Sequence, residues 1–207
     1  LGNDKTREYI SSNLNIEAFD LSRNKIEYIL WIAIILWVIG IIILSIHTII
    51  SYIKMKRKIS TATLIRDNVY ETDKIESPFV FGIIRPKIYL PLGISEREQQ
   101  YLIYHEEVHI KRFDYIIKQI YFITVVIHWF NPIVWKAFEL MTQDMEMSCD
   151  ERVMKDFKYD IKIEYSNSLL EFARTSSLDL VCPLAFGENH AKKRIENIKR
   201  WYIKCRK

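Results

Sequence analysis

The chain has few of the residues that build disulfide scaffolds, low-complexity segments or strongly charged surfaces. Its 207 residues include three cysteines without Cys-x-x-Cys spacing, so neither a disulfide framework nor a cysteine-based zinc ribbon is indicated. Five glycines and five prolines exclude low complexity. The 30 Lys and Arg against 26 Asp and Glu give a net charge of +4, which by itself predicts no direct nucleic-acid partner. This length allows one ordinary domain and an appendage.

One long segment, residues 28–53, lacks Asp, Glu, Lys and Arg altogether. As a helix it rises about 39 Å, more than the roughly 30 Å of a bilayer's hydrocarbon core. We therefore predict a transmembrane helix, since a buried core helix of this length rarely lacks charge. Four basic residues follow within 54–58, so the positive-inside rule places residues 54–207 in the cytoplasm. Residues 1–27 are then an extracellular loop or stalk, and the initial Leu favours a piece of a longer protein.

After the basic cluster, the pattern predicts a small β element. Residues 61–69 form one candidate strand, and residues 77–91 form two short strands around a turn near residues 82–86. Ser95 and Glu98 have the spacing of a capping box, which opens a helix.

Further helices are expected from Ser95 to about Arg112 and over residues 132–154 and 165–174. The apolar stretch 115–130 is short for a membrane span, at roughly 16 residues. We predict a helix there that packs in the domain core or lies against the membrane.

The chemistry is concentrated in the motif HEEVH, residues 105–109, which matches HExxH. Residues four apart share one face of a helix, so His105 and His109 can hold one Zn²⁺. Glu106 is then the general base for a water whose pKa zinc lowers to about 7. Glu107 is predicted to be a solvated surface residue.

A third ligand is expected because catalytic zinc usually keeps three protein ligands. Glu146 would complete a His₂Glu site, and Asp150, one turn later, is placed to accept a hydrogen bond from a ligand imidazole. Without HExxH, two acidic residues on a solvated helix face would be the favoured interpretation. Cys149 is predicted to be a small buried residue. Asp114 is predicted to cap the next helix rather than to contact the metal ligands.

Four ordered segments resemble a known family over about residues 26–200. They are residues 77–91 (SPFVFGIIRPKIYLP), 105–114 (HEEVHIKRFD), 128–135 (HWFNPIVW) and 145–151 (MEMSCDE). The chain is similar to the BlaR/MecR group of membrane-embedded zinc metallopeptidases, bacterial β-lactam sensor-transducers. The resemblance implies that His105, His109 and Glu146 bind zinc and that Glu106 is catalytic. It also implies a cytoplasmic protease domain and several further transmembrane helices in the bacterial cell membrane.

The expected fold is therefore a membrane protein whose mainly helical α+β, zincin-like (gluzincin) metalloprotease domain carries a small β element on a transmembrane helix. By resemblance, an extracellular penicillin-binding domain activates the protease, which cleaves its own chain and leads to loss of a DNA-bound transcriptional repressor. The 207 residues do not include a penicillin-binding domain, so another signal stays open. Residues 183–187 or 192–194 are candidate self-cleavage sites.

The expected partners are membrane lipid and protein substrates, namely a repressor and the chain itself, and a homo-oligomer is compatible with the sequence. Phe79, Val80, Phe81 and Gly82 are a candidate edge that would hold an extended peptide by strand addition, with residues 87–90 as the other candidate. Ordinary core strands are an equally favoured interpretation.

Two other functions remain open at this stage. One is a housekeeping membrane zinc protease that degrades misfolded proteins. The other is a non-proteolytic signalling scaffold with a structural metal. Glu106 argues against the scaffold, because a closed structural site needs no general base.

Overall fold

A computed structural model describes residues 2–157, 161–175 and 188–205 of the chain. The chain divides into two units, Leu1–Leu44 and Ser45–Lys207, which are described separately. The first unit contains one element, the N-terminal part of helix α1 (Gly2–Lys58).

Helix α1 contains the predicted span and begins far before it. Lys25–Thr61 is long and apolar enough to cross a membrane. Residues 2–27, predicted as a loop or stalk, are helical. No proline interrupts them and Gly2 is their only glycine, so nothing prevents the backbone from joining the helix that the apolar run forms.

The second unit contains a four-stranded sheet with the strand order β1-β2-β4-β3. Its strands are β1 (Thr63–Arg66), β2 (Val69–Thr72), β3 (Phe79–Phe81) and β4 (Lys87–Pro91). Strands β2 and β4 are parallel, and the other two pairs are antiparallel. The pair of strands predicted within residues 77–91 is confirmed. The single strand predicted over residues 61–69 is two strands, because the chain turns at Asp67 with a φ of 41°.

Strand β4 lies inside the sheet, and β3 forms one outer edge. The proposal of residues 87–90 as an edge for substrate is therefore wrong, because β4 pairs with β2 on one side and β3 on the other. Gly82 follows β3 with a φ of +112°, where a Cβ atom would lie 2.8 Å from the Arg85 carbonyl oxygen. Only glycine suits this turn, which ends the edge strand.

Within the described residues, five helices follow the sheet: α2 (Glu96–Lys111), α3 (Asp114–Ile127), α4 (Pro132–Asp156), α5 (Lys162–Thr175) and α6 (Glu188–Cys205). The predicted capping box is confirmed, since the Ser95 side chain accepts from the Glu98 backbone N–H and the Glu98 carboxylate accepts from that of Ser95. Pro132 occupies the first turn of α4, after the capping residue Asn131.

The main core lies between the sheet and helices α2, α4, α5 and α6. Ile88 and Leu90 of β4 enter it from the sheet, and Tyr101, Val153 and Tyr165 enter it from the helices. Tyr89 points to the opposite face and packs with a second cluster, because alternate residues of a strand face opposite sides. This packing places one face of α2 against the core and leaves another facing α4.

Among the residues that the structure describes, helix α3 packs its apolar side chains on one face. Phe122 and Val125 are buried against Phe138 of α4, with 5.9 Å between the Phe122 and Phe138 ring centroids. The opposite face exposes Ile120 and Ile123, each by more than half of its surface. Residues 115–130 were predicted either to pack in the domain core or to lie against the membrane. Core packing explains the buried side of the helix, and the exposed apolar side is not part of that core.

Candidate metal centre

Helices α2 and α4 bring the three predicted ligands together. The Nε2 atoms of His105 and His109 are 3.2 Å apart. Glu146 directs one carboxylate oxygen to each imidazole, with Oε2 3.4 Å from His105 Nε2 and Oε1 3.5 Å from His109 Nε2. Both imidazoles are buried, and Glu146 is partly exposed.

These separations fit a tetrahedral ion. Metal–ligand bonds of about 2.0–2.1 Å around a tetrahedral Zn²⁺ place neighbouring ligand atoms about 3.3 Å apart. The cluster of His105, His109 and Glu146 has this spacing and the nitrogen and oxygen donors that zinc accepts. The donor set therefore fits zinc, with a geometry that leaves one position for water or substrate.

The second nitrogen of His109 is engaged by Asp114. Its Nδ1 lies 2.8 Å from Asp114 Oδ2, and both side chains are buried. When Nδ1–H donates to the carboxylate, the imidazole keeps an unprotonated Nε2, whose lone pair is available to a metal ion. The prediction that Asp114 caps α3 is wrong: the capping residue is Phe113, in a left-handed conformation with φ 59°, and the Asp114 carboxylate turns inward.

The second nitrogen of His105 faces two groups. The Tyr165 hydroxyl lies 2.9 Å from His105 Nδ1, whereas Asp150 Oδ1 lies 3.4 Å away. Asp150 is thus beside the imidazole, but the hydroxyl makes the shorter contact. Arg194 donates to both oxygens of Asp150, at 2.8 and 2.6 Å.

Two cations flank Glu146. Lys118 Nζ lies 3.0 Å from Oε1, and Arg194 Nη1 lies 3.3 Å from Oε2. Burial alone would raise the pKa of Glu146, but Lys118, His109 and Arg194 outweigh it and hold that pKa well below its usual range. Glu146 is therefore anionic at neutral pH, as a metal ligand would need to be.

Carboxylates dominate the electrostatics around His109. Burial lowers its pKa, but the charge of Glu146 and the hydrogen bond to Asp114 more than compensate and raise it well above 6.5. For Lys118, burial again lowers the pKa, and Glu146 is the main cause of its net rise. The pocket thus favours positive charge, as a metal site requires.

The two neighbouring glutamates of α2 have different environments. Glu106 is only 8% exposed, next to the first histidine, and its charge contributes to the raised pKa of Lys118. Glu107 has a side chain 44% exposed and forms an ion pair with Lys111 at 3.1 Å. Glu107 is therefore a solvated residue, as predicted, whereas Glu106 is buried and lies near enough to Lys118 to affect its pKa.

The sequence as a whole matches a known family. The profile of the BlaR1 peptidase M56 family matches residues 3–198. The chain belongs to this family. Membership indicates a metallopeptidase-type function and, with the cluster of possible ligands, a metal. The proposed BlaR/MecR resemblance is confirmed.

Individual relatives of the M56 chain support the same family. It is 28% identical over 225 residues to regulatory protein BlaR1 of Bacillus licheniformis, covering 94% of this chain and 37% of that protein. It is 35% identical over 104 residues to the methicillin resistance mecR1 protein of Staphylococcus aureus, covering 48% of this chain and 18% of that protein. The Staphylococcus epidermidis mecR1 protein matches equally. The chain therefore spans well under half the length of these relatives.

Cys149 of the M56 domain is fully buried beside the second histidine. Its Sγ lies 3.5 Å from His109 Nδ1 and 3.8 Å from Asp114 Oδ2. Burial raises the pKa of the thiol, so it remains protonated at neutral pH. His109 Nδ1 already donates to Asp114, which leaves Cys149 as a packed neighbour, as the sequence predicted.

The predicted substrate edge of the M56 domain lies beside α2, the helix that carries His105 and His109. Strand β3 packs against α2, and Val80 contacts the main core. Phe79 and Phe81 point to the other face of the sheet, where Phe79 stacks on Tyr89 with 5.6 Å between centroids. The strand therefore belongs partly to the core and also offers an edge.

Sequence reasoning missed three groups of this site: Lys118, Tyr165 and Arg194. None has a helical spacing to the HExxH motif. Tyr165 lies 60 positions beyond His105, which it contacts, and Arg194 lies 48 positions beyond Glu146, which it contacts. For Lys118 a signal existed, because it is the only Asp, Glu, Lys or Arg within residues 115–130. A lone charge in an apolar helix indicates a buried partner.

Proposed function

We propose that the chain is the proteolytic part of a regulated, membrane-bound zinc metalloendopeptidase of the gluzincin type. The observation that carries the proposal is the convergence of three ligand atoms, from His105, His109 and Glu146, at separations of 3.2–3.5 Å. Each imidazole also has a partner on its other nitrogen, which leaves Nε2 free for the metal.

The HExxH motif assigns Glu106 as the general base of peptide hydrolysis. Bound Zn²⁺ supplies Lewis-acid activation of water and of the peptide carbonyl. The Glu106 carboxylate accepts a proton from the attacking water while the water oxygen bonds to the carbonyl carbon. The C–N bond then breaks as the same carboxyl group delivers that proton to the departing nitrogen, which restores the carboxylate.

The substrate is held along β3. An extended peptide can add to the outer edge of this strand, which in the described residues pairs only with β4. Main-chain hydrogen bonds would then align the scissile bond next to α2, which carries His105 and Glu106.

Hydrogen exchange tests this placement. We expect an added substrate peptide to slow exchange of the Phe79–Phe81 amides in the full-length Glu106→Gln protein, which binds substrate without cleaving it. Strand β1 (Thr63–Arg66), the opposite edge of the same sheet, is the internal control and should be unaffected. Protection at β1 alone, or at neither edge, would remove β3 from the substrate site.

The domain also contacts the membrane through an apolar hairpin tip, defined as residues 119–135. No Asp, Glu, Lys or Arg occurs between Lys118 and Lys136. Four apolar side chains of this tip are at least 58% exposed: Ile120, Ile123, Phe130 and Ile133. A lipid surface is the fitting occupant, because the tip carries no charge and the same chain holds a candidate membrane span.

Lipid quenching tests the contact. We expect a fluorophore on Ile123→Cys, in proteoliposomes of the full-length protein with its other cysteines replaced by Ala, to be quenched by lipids carrying acyl-chain spin labels. Glu107→Cys is the matched control on the exposed side of α2 and should be insensitive. Equal, weak quenching at both positions would show that the hairpin tip faces water.

The signal is proposed from the relatives' names and the sequence resemblance. The protease faces the cytoplasm of a multi-pass bacterial membrane protein, responds to a β-lactam outside the cell, cleaves its own chain and removes a transcriptional repressor. Of the two candidate self-cleavage segments, residues 183–187 lie outside the described residues. Residues 192–194 lie within α6, whose helical backbone is not the extended form that proteases bind.

The decisive experiment measures zinc content and self-cleavage of the full-length protein in membranes, with and without a β-lactam, for wild type and Glu106→Gln. We expect antibiotic-dependent cleavage in the wild type only. Cleavage that is indifferent to the antibiotic would keep the protease and remove the sensor function. A wild type that binds no zinc would overturn the assignment.

A further inference from the structure

Tyr165 connects the metal ligand His105 to the acidic residue Asp150. It lies on α5, is fully buried, and its hydroxyl oxygen is 2.9 Å from His105 Nδ1 and 2.6 Å from Asp150 Oδ1. The ring packs edge-on against Tyr101, with 5.4 Å between centroids, so its orientation is set by the core. The hydroxyl is therefore held between the two groups by packing as well as by hydrogen bonds.

The direction of the hydrogen bonds follows from the partners. Arg194 donates two hydrogen bonds to Asp150, and a carboxylate offers only acceptor atoms. The Tyr165 hydroxyl must therefore donate its hydrogen to Asp150. Its remaining lone pair can only accept, and the group that faces it is Nδ1 of His105. The imidazole consequently carries its hydrogen on Nδ1.

We infer that Tyr165 is the positioning residue of His105: it fixes the Nδ1–H tautomer and the ring orientation, so that the Nε2 lone pair points at the metal. The inference rests on the proposed zinc site and adds to it a residue from α5. It also changes the expected function of Asp150. At 3.4 Å from Nδ1, Asp150 acts on the imidazole through the Tyr165 hydroxyl, from which it accepts a hydrogen bond, and Arg194 holds the Asp150 carboxylate in place.

The test is Tyr165→Phe in the full-length protein, with Tyr101→Phe as the matched control. Tyr101 is equally buried, packs on the same ring, and hydrogen bonds through its hydroxyl to Ser168 at 3.0 Å, away from the metal ligands. Both substitutions remove one buried hydroxyl and keep the ring. A comparable loss of thermal stability is therefore expected from the two variants.

Only the Tyr165 variant should change the metal site. We expect its zinc dissociation constant, measured by competition with a chromophoric chelator, to rise by about 10- to 100-fold, the usual effect of losing a partner of a ligand histidine. The absorption spectrum of the Co²⁺-substituted protein should shift as well. Tyr101→Phe should match wild type in both measurements.

Two results would overturn the inference. One is a Tyr165→Phe protein with wild-type zinc affinity and Co²⁺ spectrum, which would reduce the residue to core packing. The other needs no variant: ¹⁵N-histidine solid-state NMR of the zinc-loaded wild type would show His105 with its hydrogen on Nε2. Failure of the proposed function is distinguishable from both, since wild type itself would then bind no zinc.

Discussion

Glu106→Gln is expected to lower the rate of peptide cleavage by roughly 10²- to 10⁴-fold while zinc binds as in the wild type. The amide has the size of the carboxyl group but cannot accept a proton from the attacking water, and general base catalysis contributes a factor of this order. Glu106 is not among the three converging ligand atoms, so its replacement should leave them in place. Turnover of a peptide substrate and zinc content of the purified full-length protein are the measurements.

Glu107→Gln is the matched control for this substitution. It is the next residue of the same helix, it makes the same chemical change, and its side chain is exposed and paired with Lys111. We expect wild-type cleavage and zinc content. Equal loss of activity in both variants would indicate a general effect on α2, and undiminished cleavage in Glu106→Gln would show that another group is the base. Signalling retained without cleavage would favour a non-proteolytic scaffold.

Glu146→Gln is expected to weaken zinc binding by more than about 100-fold, and cleavage should fall with it. Loss of a partner of a ligand already costs about 10- to 100-fold, and this change removes the negative charge of a ligand itself. The substitution also leaves Lys118 without its ion-pair partner and Arg194 with Asp150 alone. The positive charges of Lys118 and Arg194, no longer balanced by Glu146, would then oppose the binding of Zn²⁺.

Asp144→Asn tests whether this effect belongs to the site. Asp144 lies two residues earlier on α4 and is exposed, so its charge can be removed without touching the ligands. We expect wild-type zinc affinity for Asp144→Asn in equilibrium dialysis and a clear loss for Glu146→Gln. Unchanged affinity in Glu146→Gln would exclude it as the third ligand and direct attention to the carboxylates beside it.

The sequence by itself predicted the local features of this protein. The spacing of His105 and His109 puts two imidazoles on one face of α2, and Ser95 with Glu98 starts that helix; both follow from contacts within one or two turns. The strands of residues 77–91 and the apolar run of α1 are likewise local patterns. The pairing of Glu146 with the histidines was also predicted, because a catalytic zinc needs a third ligand.

Only the tertiary structure decided which partners complete the site. From the sequence, Asp114 could be a helix cap or a partner of a histidine. The structure shows that it is a partner, because its buried carboxylate oxygen lies 2.8 Å from His109 Nδ1. Tyr165 and Arg194 come from α5 and α6, and their contacts depend on how those helices pack against α2 and α4. Such contacts join residues tens of positions apart, so helical periodicity and short motifs cannot predict them.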